Sequence, residues 1–122
     1  MKFKSINQNQ SFIRAYRKGV SFVSPLLVTY VIRNRYGHIR IGITSSKKIG
    51  GAVQRNRARR VIRAAIRSLN LDMNQGYDLI FVARSKTTRC KSWQLTPLIK
   101  QQLTDAGVIN AQENTDISNQ TL

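Results

Sequence analysis

Residues 47–67 read Lys47-Lys48-Ile49-Gly50-Gly51-Ala52-Val53-Gln54-Arg55-Asn56-Arg57-Ala58-Arg59-Arg60-Val61-Ile62-Arg63-Ala64-Ala65-Ile66-Arg67. Eight of these twenty-one positions are basic and none is acidic. At about 100° per residue, Ala58, Val61, Ile62, Ala65, Ile66 and the following Leu69 fall in one arc. Arg57, Arg59, Arg60, Arg63 and Arg67 fall largely opposite, and Arg55 sits at the boundary. The spacing predicts an amphipathic helix from about Ala52 to Leu69, packed on a sheet through one side and cationic on the other. Solubility is normally achieved with mixed signs of charge, so a face this uniformly basic calls for a polyanion. Guanidinium forks match phosphate oxygens bidentately, and an amide at Asn56 suits sugar or base edges. The first reading is therefore nucleic acid, held by a structured face.

Upstream, Asn9, Gln10 or Ser11 starts a helix that reaches about Lys18 and ends at Gly19. Phe12, Ala15 and Tyr16 share one side of it. Val20 to Val23 reads as a short strand stopped by Ser24-Pro25, and Leu26 to Arg33 as a longer one. Asn34-Arg35-Tyr36-Gly37 looks like a hairpin loop, with Ile39, Ile41 and Ile43 alternating along a returning strand. Downstream of the basic helix, Tyr77 to Ala83 is apolar at nearly every position, as in a strand covered on both faces. Trp93, Leu95, Leu98, Ile99 and Leu103 predict a last helix ending near Gly107. Phe22, Phe81 and Trp93 read as core. The order implies an α+β sandwich of helices on a mainly antiparallel sheet, a single domain over residues 1–107. The polar residues 108–122 are expected to form a disordered tail.

Composition narrows the function. The chain has 122 residues, 41% of them apolar, enough for one small domain with a core. Its net charge is +16, and all 21 Lys and Arg precede residue 101. Binding to a phosphate backbone should weaken steeply with salt. Cys90 is the only cysteine, so neither an intramolecular disulfide nor a cysteine zinc cluster can form, and a reducing compartment is expected. Met1 to Gln8 lacks the apolar run of a signal peptide, and no stretch is apolar enough to span a membrane, which points to the cytoplasm.

Catalytic candidates are sparse. His38 is the only histidine and sits at the expected hairpin, where a surface role outweighs a general base. Ser45, Ser46 and Lys47 have no further support as a dyad. Asp72, Asp78 and Asp105, the acids before residue 108, are far apart in sequence. Gly50-Gly51 permits close backbone approach but lacks the spacing of a Walker loop. Phe12, Tyr16 and Tyr30, with Arg14, Arg17 and Lys18 alongside, suit stacking of single-stranded nucleotides, although the pattern alone favours the core for Phe12 and Tyr16. A ribosomal or general RNA-binding protein shares these features. A protein-only nuclease lacks acids for its chemistry. A membrane-surface helix fits poorly with an Ala-rich apolar arc needed by the core.

Lys47-Lys48-Ile49-Gly50, then Ala52-Val53, Arg55-Asn56-Arg57, Arg59-Arg60 and Arg63, closely resembles the signature of the bacterial ribonuclease P protein subunit. Phe12, Tyr16 and Gly19 fit that family's first helix, Leu27-Val28-Thr29-Tyr30 its first long strand, and Gly76-Tyr77-Asp78 with Ala83-Arg84 the strand after the basic helix. The resemblance covers about residues 3–107. It implies an αβββαβα fold with a left-handed βαβ crossover around the basic helix. It implies as partners the catalytic RNA of ribonuclease P and precursor tRNA, whose 5′ leader the RNA removes using Mg²⁺. No cofactor on the protein itself, no membrane and no obligate protein partner are implied. The RNA-binding positions would be Lys47, Lys48, Arg55, Asn56, Arg57, Arg59, Arg60 and Arg63. A cleft for the single-stranded leader would hold Phe12, Tyr16 and Tyr30, reversing the core reading of the first two. Two departures stand out: Gly51 replaces a usual Asn, and Tyr16 a more common Phe.

Overall fold

The computed structural model describes residues 3–110. Its elements run β1 (Lys4–Ser5), α1 (Asn9–Lys18), β2 (Val20–Val23), β3 (Leu27–Arg33), β4 (Arg40–Ser45), α2 (Ala52–Ser68), β5 (Tyr77–Ala83) and α3 (Ser92–Asp105), with 3₁₀ segments at Lys47–Ile49 and Ser85–Arg89. This is the αβββαβα order with a two-residue strand added at its start. One five-stranded sheet has the order β1-β4-β5-β3-β2.

The sheet differs from the mainly antiparallel one expected. β3 pairs antiparallel with β2 and β5, whereas β4 pairs parallel with β1 and β5. β3 and β4 are not hairpin partners, because β5 lies between them. The reason lies in hydrophobicity. Tyr77–Ala83 is the most continuously apolar strand, and the sheet's centre is where a strand loses water on both sides. α2 is the crossover that carries the chain from β4 to its parallel neighbour β5, the βαβ unit implied above.

Alternation along the strands separates two cores. Leu27, Val31, Ile41, Leu79, Phe81 and Ala83 join Ala58, Ile62, Ala65 and Ile66 of α2 and Leu95, Ile99 and Leu103 of α3. On the opposite face Ile80 meets Ala15 of α1 and Ile6, with Phe12, Tyr30, Ile32 and Val82 packed around them. Two helices thus cover one face and the ten-residue α1 covers part of the other. Buried Thr29 is satisfied by donating to Gln102 Oε1 (2.6 Å), and the Gln102 amide donates to the Phe22 carbonyl (3.1 Å), which ties α3 to the sheet.

Phe81 is fully buried and Phe22 packs at the edge of the main core, as expected, but Trp93 is 71% exposed. It lies outside the arc of α3 formed by Leu95, Ile99 and Leu103, so the helix turns it to solvent. The ordered chain also continues past Gly107. Val108 is buried, and the Val108 and Ile109 amides both donate to the Leu103 carbonyl. The remainder of the expected tail, 111–122, lies outside the described residues.

Candidate nucleic-acid interface

The approach to α2 is built from short-range geometry. Ser46 Oγ accepts from the Lys48 amide (3.2 Å) and starts the 3₁₀ turn that carries Lys47 and Lys48. Gly50 then adopts φ 130°, a conformation that side chains disfavour, and reverses the chain into α2. Gly51 is the N-cap and has no side chain to satisfy the first amides, and the first turn contains no acid. The positive end of the helix is therefore uncompensated.

Along α2, Arg60 and Asn56 are exposed, while Arg55, Arg57, Arg59 and Arg63 are half-buried. Two of the half-buried guanidiniums are held by neighbours. Arg57 Nε donates to the Thr88 carbonyl (2.9 Å), and the Arg59 guanidinium donates to Asn56 Oδ1. Asn56 thus serves first as an orienting group for Arg59. Arg67 lies over the Phe3 ring, 5.9 Å from its centroid. None of these contacts supplies negative charge. Among the described residues the single salt bridge is Arg40–Asp78, on the sheet (2.7 Å). Sequence reasoning missed an extension of this surface. The Arg57–Thr88 bond brings the segment bearing Arg84, Lys86, Arg89 and Lys91 against α2, and all four are exposed. The available signal was the lack of any acid between Asp78 and Asp105.

The aromatic residues gather on the other face of the sheet. Tyr16 and Tyr30 meet edge to face with centroids 5.0 Å apart, and Phe12 lies 6.4 Å from Tyr16. Gly42 lies beneath Phe12, because a Cβ there would stand 2.9 Å from two ring carbons. Register places Gly42, Ile80 and Tyr30 in one row across the strands, and Thr44, Val82 and Val28 in the next. That second row is only half-buried. Tyr16 is 42% exposed, so the reading of Phe12 and Tyr16 as simple core fails for Tyr16, whereas Phe12 is half-buried. Burial, and then the neighbouring Tyr30, push the Tyr16 hydroxyl above its ordinary range, so it remains a neutral donor.

A half-buried arginine and a buried aspartate link the sheet to α1. Asp78 is 1% exposed and accepts from Arg40 Nε (2.9 Å) and a terminal Arg40 nitrogen (2.7 Å), and from the Asn34 amide (2.7 Å). The same Arg40 nitrogen reaches Ser11 Oγ on α1 (3.4 Å), and the guanidinium stacks on Tyr36 (4.2 Å). The hydrogen bonds to Asp78 hold Arg40 above its usual pKa, against the opposing effect of burial. His38, in the same loop, makes a ring-nitrogen contact with the Tyr36 carbonyl (3.1 Å). Among the described residues no group of three His, Cys, Asp or Glu is placed to hold a metal.

A basic helix opened by a glycine turn thus lies on one face of the sheet, and an aromatic cluster lies on the other. The family model described as ribonuclease P matches residues 1–107. The chain belongs to the ribonuclease P protein family. It is 39% identical over 111 residues to the ribonuclease P protein component of Clostridium botulinum (strain 657 / Type Ba4), covering 90% of this chain and 100% of that one. The component of Clostridioides difficile (strain 630) is 42% identical over 83 residues, covering 66% of this chain and 72% of its own. Among solved structures, the Staphylococcus aureus RNase P protein superposes with a TM-score of 0.73 at 32% identity, covering 89% of this chain and 100% of that one. The RNase P protein of Thermotoga maritima, at 22% identity and a TM-score of 0.71, shares the fold over 84% of this chain and 96% of its own. No helix among the described residues is long and apolar enough to cross a membrane.

Proposed function

We propose that this chain is the protein subunit of a ribonuclease P, working in the cytoplasm with a catalytic RNA that removes the 5′ leader of precursor tRNA. The observation that carries the reading is an arginine face on α2 with no acidic partner among the described residues, in a chain of the ribonuclease P protein family. Lys47, Lys48, Arg55, Arg57, Arg59, Arg60 and Arg63 would neutralise phosphates of the catalytic RNA, and the uncharged Asn56 amide would hydrogen-bond it. Arg57 and Arg59 are pre-oriented for this by Thr88 and Asn56. Phe12, Tyr16 and Tyr30 would stack unpaired leader bases with little sequence demand. Holding precursor at both tRNA and leader favours it over mature tRNA, which lacks the leader.

The bond cleavage is assigned to the RNA and its Mg²⁺ ions. The described acids of this chain are dispersed: Asp78 is committed to Arg40, Asp105 accepts from the Gln101 amide (2.8 Å), and Asp72 caps its own turn by accepting from the Asn74 amide (3.0 Å). Among the described residues they do not fit a metal site. What the chain contributes is positive charge that lowers phosphate repulsion, so that the RNA holds Mg²⁺ more readily.

The test is reconstitution with a bacterial ribonuclease P RNA at limiting Mg²⁺, scoring cleavage of precursor tRNA with and without the protein. The protein should restore cleavage and favour precursor over mature tRNA. Unchanged turnover and discrimination, with binding to ribosomal RNA instead, would establish a general RNA-binding protein.

A further inference from the structure

Trp93 is the largest exposed side chain without a role in the reading above. Tryptophan is enriched at interfaces, so an indole 71% exposed is a candidate contact residue. Its surroundings identify the partner. Ser92, immediately before it, lines a depression of about 280 Å³ together with Arg57, Arg60, Val61, Ala64, Cys90 and Lys91. Thr96, three residues later, shares a hydrogen bond with Ser68 of α2 (3.0 Å). Residues three apart lie on the same side of a helix, so Trp93 stands on the side of α3 that borders α2, one residue beyond the lining of that basic depression and not part of it. The cation–π contacts among the described residues use Tyr77, Tyr36 and Phe3, so none of those contacts covers the Trp93 ring.

We propose that Trp93 stacks an unpaired base of bound RNA while Arg57, Arg60 and Lys91 hold the adjoining phosphates in the depression. The inference rests on the reading of α2 as an RNA-binding face and adds a second element, α3, to it. RNA matches both features at once, because each nucleotide brings a phosphate and a flat π-face. A second copy of this chain is a poor match, because it brings +16 of like charge.

The chain has one tryptophan, so fluorescence excited at the red edge, where its four tyrosines do not absorb, reports on this site alone. The full chain is titrated with a bacterial ribonuclease P RNA, and retention on filters is measured in parallel. Fluorescence should be quenched along the same curve as retention. Trp93→Leu, at an exposed position, should keep its circular dichroism and bind about 5- to 30-fold more weakly with an unchanged salt slope, while Trp93→Tyr stays within about threefold of the original. Lys91→Ala should lower the salt slope instead. Retention without a fluorescence response, or Trp93→Leu binding like the original, overturns the assignment of Trp93 alone. So does quenching that appears with rising protein concentration and dimerisation in the absence of RNA. A lack of RNA retention by the unmodified chain overturns the RNA-binding function itself, a separate result.

Discussion

Tyr16 combines a partly buried ring with an accessible edge, and each half has its own consequence. The exposed part, set against Tyr30, suits stacking. Tyr16→Ala should reduce the preference of the reconstituted enzyme for precursor over mature tRNA by about tenfold, measured as the ratio of the two dissociation constants. An unchanged ratio would remove Tyr16 from the leader site. The buried part raises the hydroxyl's pKa above 10.0. The unfolded chain then releases this proton at a lower pH than the native one. The contribution of Tyr16 to stability is intact below pH 10 and is lost as the pH climbs through the raised value. Tyr16→Phe should therefore flatten the fall in melting temperature above pH 10. Asp78 acts at longer range. Asp78→Asn leaves the Arg40 guanidinium without its carboxylate and should destabilise the fold by about 2–3 kcal/mol in denaturant unfolding. Because Arg40 also reaches Ser11, the change should loosen α1 and the aromatic residues it carries.

The helix α2 carries two kinds of arginine. Arg60 is exposed and spends nothing on the fold, whereas Arg57 holds the Thr88 carbonyl and with it the basic segment after β5. Arg60→Ala should weaken binding to the catalytic RNA and lower the salt slope by about one, with melting temperature unchanged. Arg57→Ala should lower both. Equal melting temperatures for the two variants would show that the bond to Thr88 contributes nothing. The distinction was invisible in the sequence, where both residues fall opposite the apolar arc. The extent of α2 was legible, because Ala58, Ile62, Ala65 and Ile66 repeat with the helix's own period and Gly50-Gly51 marks its start. The apolar arc also failed at one place. Trp93 begins a helical run whose core side is defined by Leu95, Ile99 and Leu103, and hydrophobicity alone assigned it to the wrong side.

For the molecule as a whole, charge links stability to binding with opposite signs. A net charge of +16, with a single salt bridge among the described residues, opposes compaction through self-repulsion. Raising NaCl from low ionic strength should increase the melting temperature of the free protein, while the same salt weakens its hold on RNA. At low salt, RNA at a hundred times its dissociation constant should stabilise the fold by about 2.7 kcal/mol. A melting temperature that falls with salt would show that internal attraction outweighs repulsion.

Helices, strands and the cationic side of α2 can be read from residues a few positions apart, because backbone periodicity and turn chemistry are local. Asn9–Lys18 and Tyr77–Ala83 follow directly from such patterns. The partners of each strand do not, because pairing depends on contacts between distant segments. The insertion of β5 between β3 and β4, the meeting of Tyr16 with Tyr30, and the bond from Arg40 to Asp78 across 38 positions all arise from that assembly. Local chemistry made this chain a basic α+β protein suited to RNA. Long-range packing, which removes water from the most apolar strand on both sides, set where its two candidate surfaces lie.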